Sequence, residues 1–261
     1  MKAQPKNTSE FLRTFQNFID CFVVIGGTPT LLYIEQREGI LPRKTVDLDI
    51  VILDIERTNG NSKFLKTFSQ YIDENEYECK QLSSGKAQSY RFTNPKNELA
   101  PLIIEISTPR EAGIPLKRST QRLEDFEMSS IICESYFIKL LKKHREKIVI
   151  EKNTNLALPV AKAALLILMK AFAVDNLKKS ENKYDQIKAK KHLNDILRLT
   201  RILTDTDEIT VSTQAYRHLD TLLMDHKTYF NPARMESCGW KNKTSEEVQD
   251  VLRQMIKKER L

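Results

Sequence analysis

"GGTPTLLYIEQREGILPRKTVDLDIVIL", residues 26–53, carries the pattern that decides the fold. It opens on two glycines and closes on a hydrophobic run that holds two acids, Asp47 and Asp49. "TVDLDIVIL" reads as a strand, with Thr45, Asp47, Asp49, Val51 and Leu53 on one face and Val46, Leu48, Ile50 and Ile52 on the other. The acid-bearing face turns apolar further along, so the acids lie near one end of a mostly covered strand. A carboxylate out of water is costly unless a positive charge stands beside it. Two on the same side also repel each other, and a divalent cation relieves both problems. Mg²⁺ (or Mn²⁺) suits the position, because it takes carboxylate oxygens and completes its shell with water and substrate phosphates.

The segment before the acids supplies the other half of a site. "FVVIG" is a short β-branched strand that stops at Gly26-Gly27, and "TPTLLYIEQREG" follows as a helix. Thr28 is the expected cap, Pro29 sits in the first turn, and Gly39 closes the helix. Glycine lets backbone approach a ligand closely, and the N–H groups at a helix N-terminus attract anions. A phosphate chain held at Gly26, Gly27 and Thr28 and bridged by metal to Asp47 and Asp49 accounts for both features. Arg43 and Lys44, just ahead of the acidic strand, read either as phosphate contacts or as solvated loop cations.

Further along, "NSKFLKTFSQYIDENEY" is an amphipathic helix, and "ECKQLSS", "AQSYRFTN" and "APLIIEIST" are three strands between turn-like residues. The last of these places Glu105 among apolar neighbours. "SSIICESYFIKLLKK" reads as a strand running into a helix, and "EKIVIEK" as a short strand. Beyond Leu158 four segments have helical period and few strand signals. The expected fold class is therefore α+β: a mixed twisted sheet flanked by helices over residues 1–155, then an all-helical domain over 156–261, with "EKNTNLALP" as the boundary.

Bulk properties narrow the function. With 40% hydrophobic and 30% charged residues the chain has both a core and a solvated surface. No run approaches the roughly 20 apolar residues that span a bilayer, and the N-terminus has no apolar secretory region, so a soluble cytoplasmic protein is expected. Four scattered cysteines without a C-x-x-C pair argue against zinc and against a disulfide framework. The net charge of +7 is compatible with a polyanionic partner such as RNA, and equally with lysine-rich solvated helices.

"IGGT…RKTVDLDIVI" resembles the signature of polymerase-β-type nucleotidyltransferases: a hydrophobic residue, Gly-Gly or Gly-Ser, a short helix, then an Asp-x-Asp strand. Within that superfamily "RKTVDLD" is similar to the AbiEii/MenT-like toxins of bacterial type IV toxin–antitoxin systems. The resemblance covers the N-terminal half well and the helical half loosely. It implies that residues 1–155 form the nucleotidyltransferase domain, with Mg²⁺ on Asp47 and Asp49 and with Glu105 as the third acid, ligand or proton acceptor. It implies that Lys170, buried in "LLILMKAFA", steadies the nucleotide phosphates. Where the family has a Lys-Asp pair followed three residues later by Asp, "KKHLNDILRL" supplies Lys191 and Asp195, with His192 in place of the first aspartate. The family's preceding arginine has no counterpart here except Lys188. The implied reaction is transfer of a nucleoside monophosphate from an NTP to an acceptor hydroxyl, with the 3′ end of tRNA as acceptor and a cognate antitoxin as partner. Two other readings remain open: an antibiotic-modifying nucleotidyltransferase, and a catalytically silent binding module of the same fold.

Overall fold

Aromatic side chains at helical spacing mark the helices that cover one face of the sheet. In the computed structural model, which describes residues 8–40, 45–53, 63–84, 87–109, 121–122, 135–178 and 181–259, they lie on helices α1 (Thr8–Phe15) and α3 (Lys63–Glu74). Phe11, Phe15, Phe64, Phe68 and Tyr71 interlock there. Phe15 meets Phe11 stacked at 4.4 Å between ring centroids and Tyr71 edge-on at 5.4 Å. Such ring pairs add to the burial of their apolar area. The cluster reaches the sheet through Phe11 and Phe64 on Phe22, and through Phe68 on Phe92.

The strands are β1 (Phe22–Ile25), β2 (Asp47–Ile52), β3 (Glu78–Ser84), β4 (Ala87–Thr93), β5 (Ile103–Pro109), β6 (Gln121–Arg122), β7 (Arg145–Glu151) and β8 (Leu156–Ala161). They form one sheet in the order β6-β3-β4-β5-β2-β1-β8-β7. β2 runs parallel to β5 and antiparallel to β1, and β1 runs parallel to β8, so the sheet is mixed. β2 obeys the alternation read from the sequence. Leu48, Ile50 and Ile52 are buried, and register places them beside Phe22, Val24, Ile104 and Ile106 on the aromatic-covered face. Asp47, Asp49 and Val51 lie on the opposite face.

Helix α2 (Gly27–Glu38) begins directly after β1, and Gly39, at φ +67°, ends it. Thr28 sits inside the first turn of this helix rather than ahead of it as a cap. Helix α4 (Ser135–Lys143) takes up the end of "SSIICESYFIKLLKK"; the strand expected at its start lies outside the described residues. Residues 156–161, which the sequence reading assigns to the all-helical domain, are strand β8. A continuous apolar run gives no periodicity by which strand and helix can be told apart.

Contacts divide the chain into two compact units. Residues 33–40 and those from 162 onward make up the second, and the remaining described residues the first. The second unit is helical: α5 (Ala163–Leu177), α6 (Lys183–Arg201), α7 (Thr213–Met224), α8 (His226–Tyr229), α9 (Pro232–Ser237) and α10 (Ser245–Met255). A short parallel ladder of β9 (Ile209–Val211) and β10 (Ile256–Lys258) accompanies the helices. Side-chain caps satisfy the helix starts: Asn182 for α6, Ser212 for α7, Asn231 for α9, and a reciprocal Thr244–Glu247 box for α10. Arg37 donates to Asp207 at 2.6 Å and to the carbonyl of Ile202 at 2.6 Å. No described helix is long and apolar enough to cross a membrane.

Phe15 touches more rings than its neighbours and is fully buried. Phe15→Ala is expected to lower unfolding free energy by about 3–5 kcal/mol, read from urea denaturation.

Candidate active site

Register assembles the site. In the antiparallel β1–β2 ladder Ile25 faces Asp49, which brings the next residue, Gly26, against the aspartate side chain. A Cβ built on Gly26 would overlap Asp49 Oδ2 outright, and Gly26 also has φ +77°. Two independent requirements, space and left-handed backbone, therefore demand glycine at this position. Gly27 follows as the first residue of α2. Thr28 is fully buried, and its hydroxyl donates to the backbone carbonyl of Asp47 at 3.0 Å, tying the start of α2 to the start of β2. Thr30 Oγ1 donates to the carbonyl of Gly26 at 2.7 Å and holds the turn from the other side.

In the parallel β2–β5 ladder Asp49 faces Glu105, so these two carboxylates and Asp47 share one face. Asp47 Oδ1 is buried and accepts no hydrogen bond. Burial, reinforced by the charge of Asp49 and partly offset by Arg91, pushes Glu105 up to about 8. Glu105 is also hydrogen-bonded with Asp49. Arg91 on β4, opposite Glu105 in the next ladder, places Nη1 2.5 Å from Glu105 Oε1. The sequence gives no hint of Arg91. "AQSYRFTN" shows an arginine in a strand, but its alignment with Glu105 depends on the β4–β5 register.

A cation fits this donor set in kind. The oxygens are hard, one of them is buried without a partner, and the Asp49–Glu105 contact is one that a positive charge would relieve. No group of three His, Cys, Asp or Glu side chains among the described residues converges into a metal-holding cluster. Two aspartates with substrate phosphates completing the shell match the way Mg²⁺ is usually held.

Arg43 and Lys44 are outside the described residues. Lys170 on α5 is 5% exposed along its side chain, and its Nζ is 3.0 Å from Oδ2 of Asp195 on α6, itself 1% exposed. Arg198 approaches the other oxygen of Asp195 at 3.9 Å. The structure thus brings Lys170 and Asp195 together as a buried ion pair within the second unit. Lys191 is exposed on α6, and His192 is half-buried one residue on.

No protein-family model and no curated protein matches the chain. Among solved structures it is similar to an antigenic nucleotidyltransferase-like protein from Paracoccidioides brasiliensis, at 13% identity over 91% of this chain and 93% of that one, with a TM-score of 0.47. That likeness is too loose to bear on fold or activity.

Glu105 gives the metal-free protein a pH signature. The folded chain keeps this proton up to about pH 8, whereas the unfolded chain loses it near 4.5, so folding is weakened as pH rises between those values. Urea midpoints measured at about pH 5 and about pH 9 should fall more steeply for wild type than for Glu105→Gln. Lys170→Met removes the 3.0 Å partner of a buried carboxylate and is expected to cost about 3–5 kcal/mol, whereas Lys170→Met/Asp195→Leu should recover most of that loss. Thermal melts of the single and double variants check it.

Proposed function

We propose that the chain is a metal-dependent nucleotidyltransferase that moves a nucleoside monophosphate from an NTP to an acceptor hydroxyl. The observation that carries this reading is the buried, unpartnered Oδ1 of Asp47 beside Asp49, on a strand whose neighbours bring Gly26 and Glu105 to the same place. A solvated surface strand has no need to bury such an oxygen, and a structural ion pair would have supplied a cation for it.

A bound Mg²⁺ would neutralise phosphate charge and favour loss of pyrophosphate. Asp47 and Asp49 would hold that ion through their carboxylate oxygens. Gly26 leaves Asp49 room beside the turn, and the backbone N–H groups of Gly27 and Thr28 at the start of α2 would serve phosphate oxygens. The hydroxyl of Thr28 already serves the carbonyl of Asp47, so Thr28 positions the site and offers a ligand only its backbone. In the transfer, the acceptor oxygen bonds to the α-phosphorus, the bond from that phosphorus to the bridging oxygen breaks, and pyrophosphate leaves. The acceptor proton passes to Glu105 once that carboxylate is ionised.

The acceptor we favour is RNA, specifically the 3′ end of tRNA. The net charge of +7 suits a polyanion and suits a polycationic antibiotic poorly. Nucleotides added there would block aminoacylation and arrest growth, the behaviour of a toxin restrained by a cognate antitoxin.

Incubation with total tRNA, an aminoglycoside and each α-labelled NTP tests the reading. Mg²⁺-dependent labelling of tRNA by wild type and its loss in Asp49→Ala are expected. Full labelling by Asp49→Ala would end the proposal, and labelled aminoglycoside would reassign the acceptor.

A further inference from the structure

Among the described residues the acid-bearing face carries a strong cation, Arg91. Arg91 faces Glu105 across the β4–β5 ladder, and Glu105 faces Asp49 across the β5–β2 ladder. The row therefore runs Arg91, Glu105, Asp49, with Arg91 on the far side of Glu105 from the aspartates. Arg91 Nη1 and Glu105 Oε1, 2.5 Å apart, form a charge-assisted hydrogen bond. Both side chains are partly shielded, at 30% and 15% exposure, so water screens the pair incompletely. The bond turns the Glu105 carboxylate toward Arg91, so swinging it onto a cation beside the aspartates competes with the pull of the arginine.

We infer that Arg91 is a positioning residue that draws Glu105 out of the cation's shell, so that Asp47 and Asp49 bind a divalent ion as two carboxylates rather than three. The inference rests on the metal-dependent reading above. Oxygen sites tighten as charged ligands are added. A site with two carboxylates holds its ion loosely and leaves positions open for substrate oxygens, while Glu105 stays beside the ion to take a proton. The planar fork of arginine can fix a carboxylate in one orientation, which the ammonium of lysine does less well.

Mn²⁺ titration of the full chain, with free Mn²⁺ read by electron paramagnetic resonance, tests both levels separately. Wild type should bind Mn²⁺, and Asp49→Ala should abolish binding. Arg91→Met should bind Mn²⁺ about fivefold or more tightly, because the released Glu105 joins the shell. Arg91→Lys should shift affinity the same way, and it carries the test if Arg91→Met fails to fold. In a Glu105→Gln background neither change at Arg91 should alter affinity. Unchanged affinity in both Arg91 variants overturns the inference. So does a gain that persists in Glu105→Gln, which would mean that only a nearby positive charge had been removed. Absence of Asp49-dependent binding from every variant instead overturns the metal reading, and the role of Arg91 with it.

Discussion

The first unit depends on one close approach, the side chain of Asp49 lying where residue 26 would carry its Cβ. That approach requires glycine at 26, and glycine in turn supplies the left-handed backbone that turns the chain from β1 into α2. The helix start is then fastened by two side-chain bonds, Thr28 to the carbonyl of Asp47 and Thr30 to the carbonyl of Gly26. Strand, turn, helix and acid are thus one interlocked object. Its chemistry cannot be altered at Asp49 without changing what the turn packs against.

The two faces of the sheet divide stability from chemistry. One is sealed by an aromatic cluster from α1 and α3 over Phe22, Ile50, Phe92 and Ile104, where burial of large apolar side chains favours folding strongly. The other gathers three carboxylates and an arginine, and burial holds Glu105 well above the usual carboxylate range. Ionising Glu105 in that burial, beside Asp49, works against the fold, and a cation would offset that cost. Sites that break local packing rules in this way are where function is expected.

Much of this was legible in the sequence, because a period of two survives inspection without any knowledge of partners. The faces of β2 follow from "TVDLDIVIL" alone, the closing role of Gly39 follows from its place after a helical run, and "LLILMKAFA" announces a lysine that must be buried with company. What escaped reading depends on long-range register. Arg91 meets Glu105 only because β4 and β5 align as they do, and Asp195 proves to be the company of Lys170 across 25 residues. Leu156–Ala161 merges with the apolar start of α5, so no local signal separates strand from helix there. Thr28 looks like a cap from its neighbours, yet the nearness of Asp47, 19 residues on, gives its hydroxyl a different use.

The central claim is that Asp47 and Asp49 are gathered for a divalent ion. A crystal structure grown with manganese and a non-hydrolysable nucleoside triphosphate tests it most directly, since anomalous scattering identifies the metal independently of the protein. The account predicts an anomalous peak within coordination distance of both aspartates, with phosphate oxygens completing its shell. Ordered nucleotide elsewhere, with no peak beside either aspartate, would contradict it.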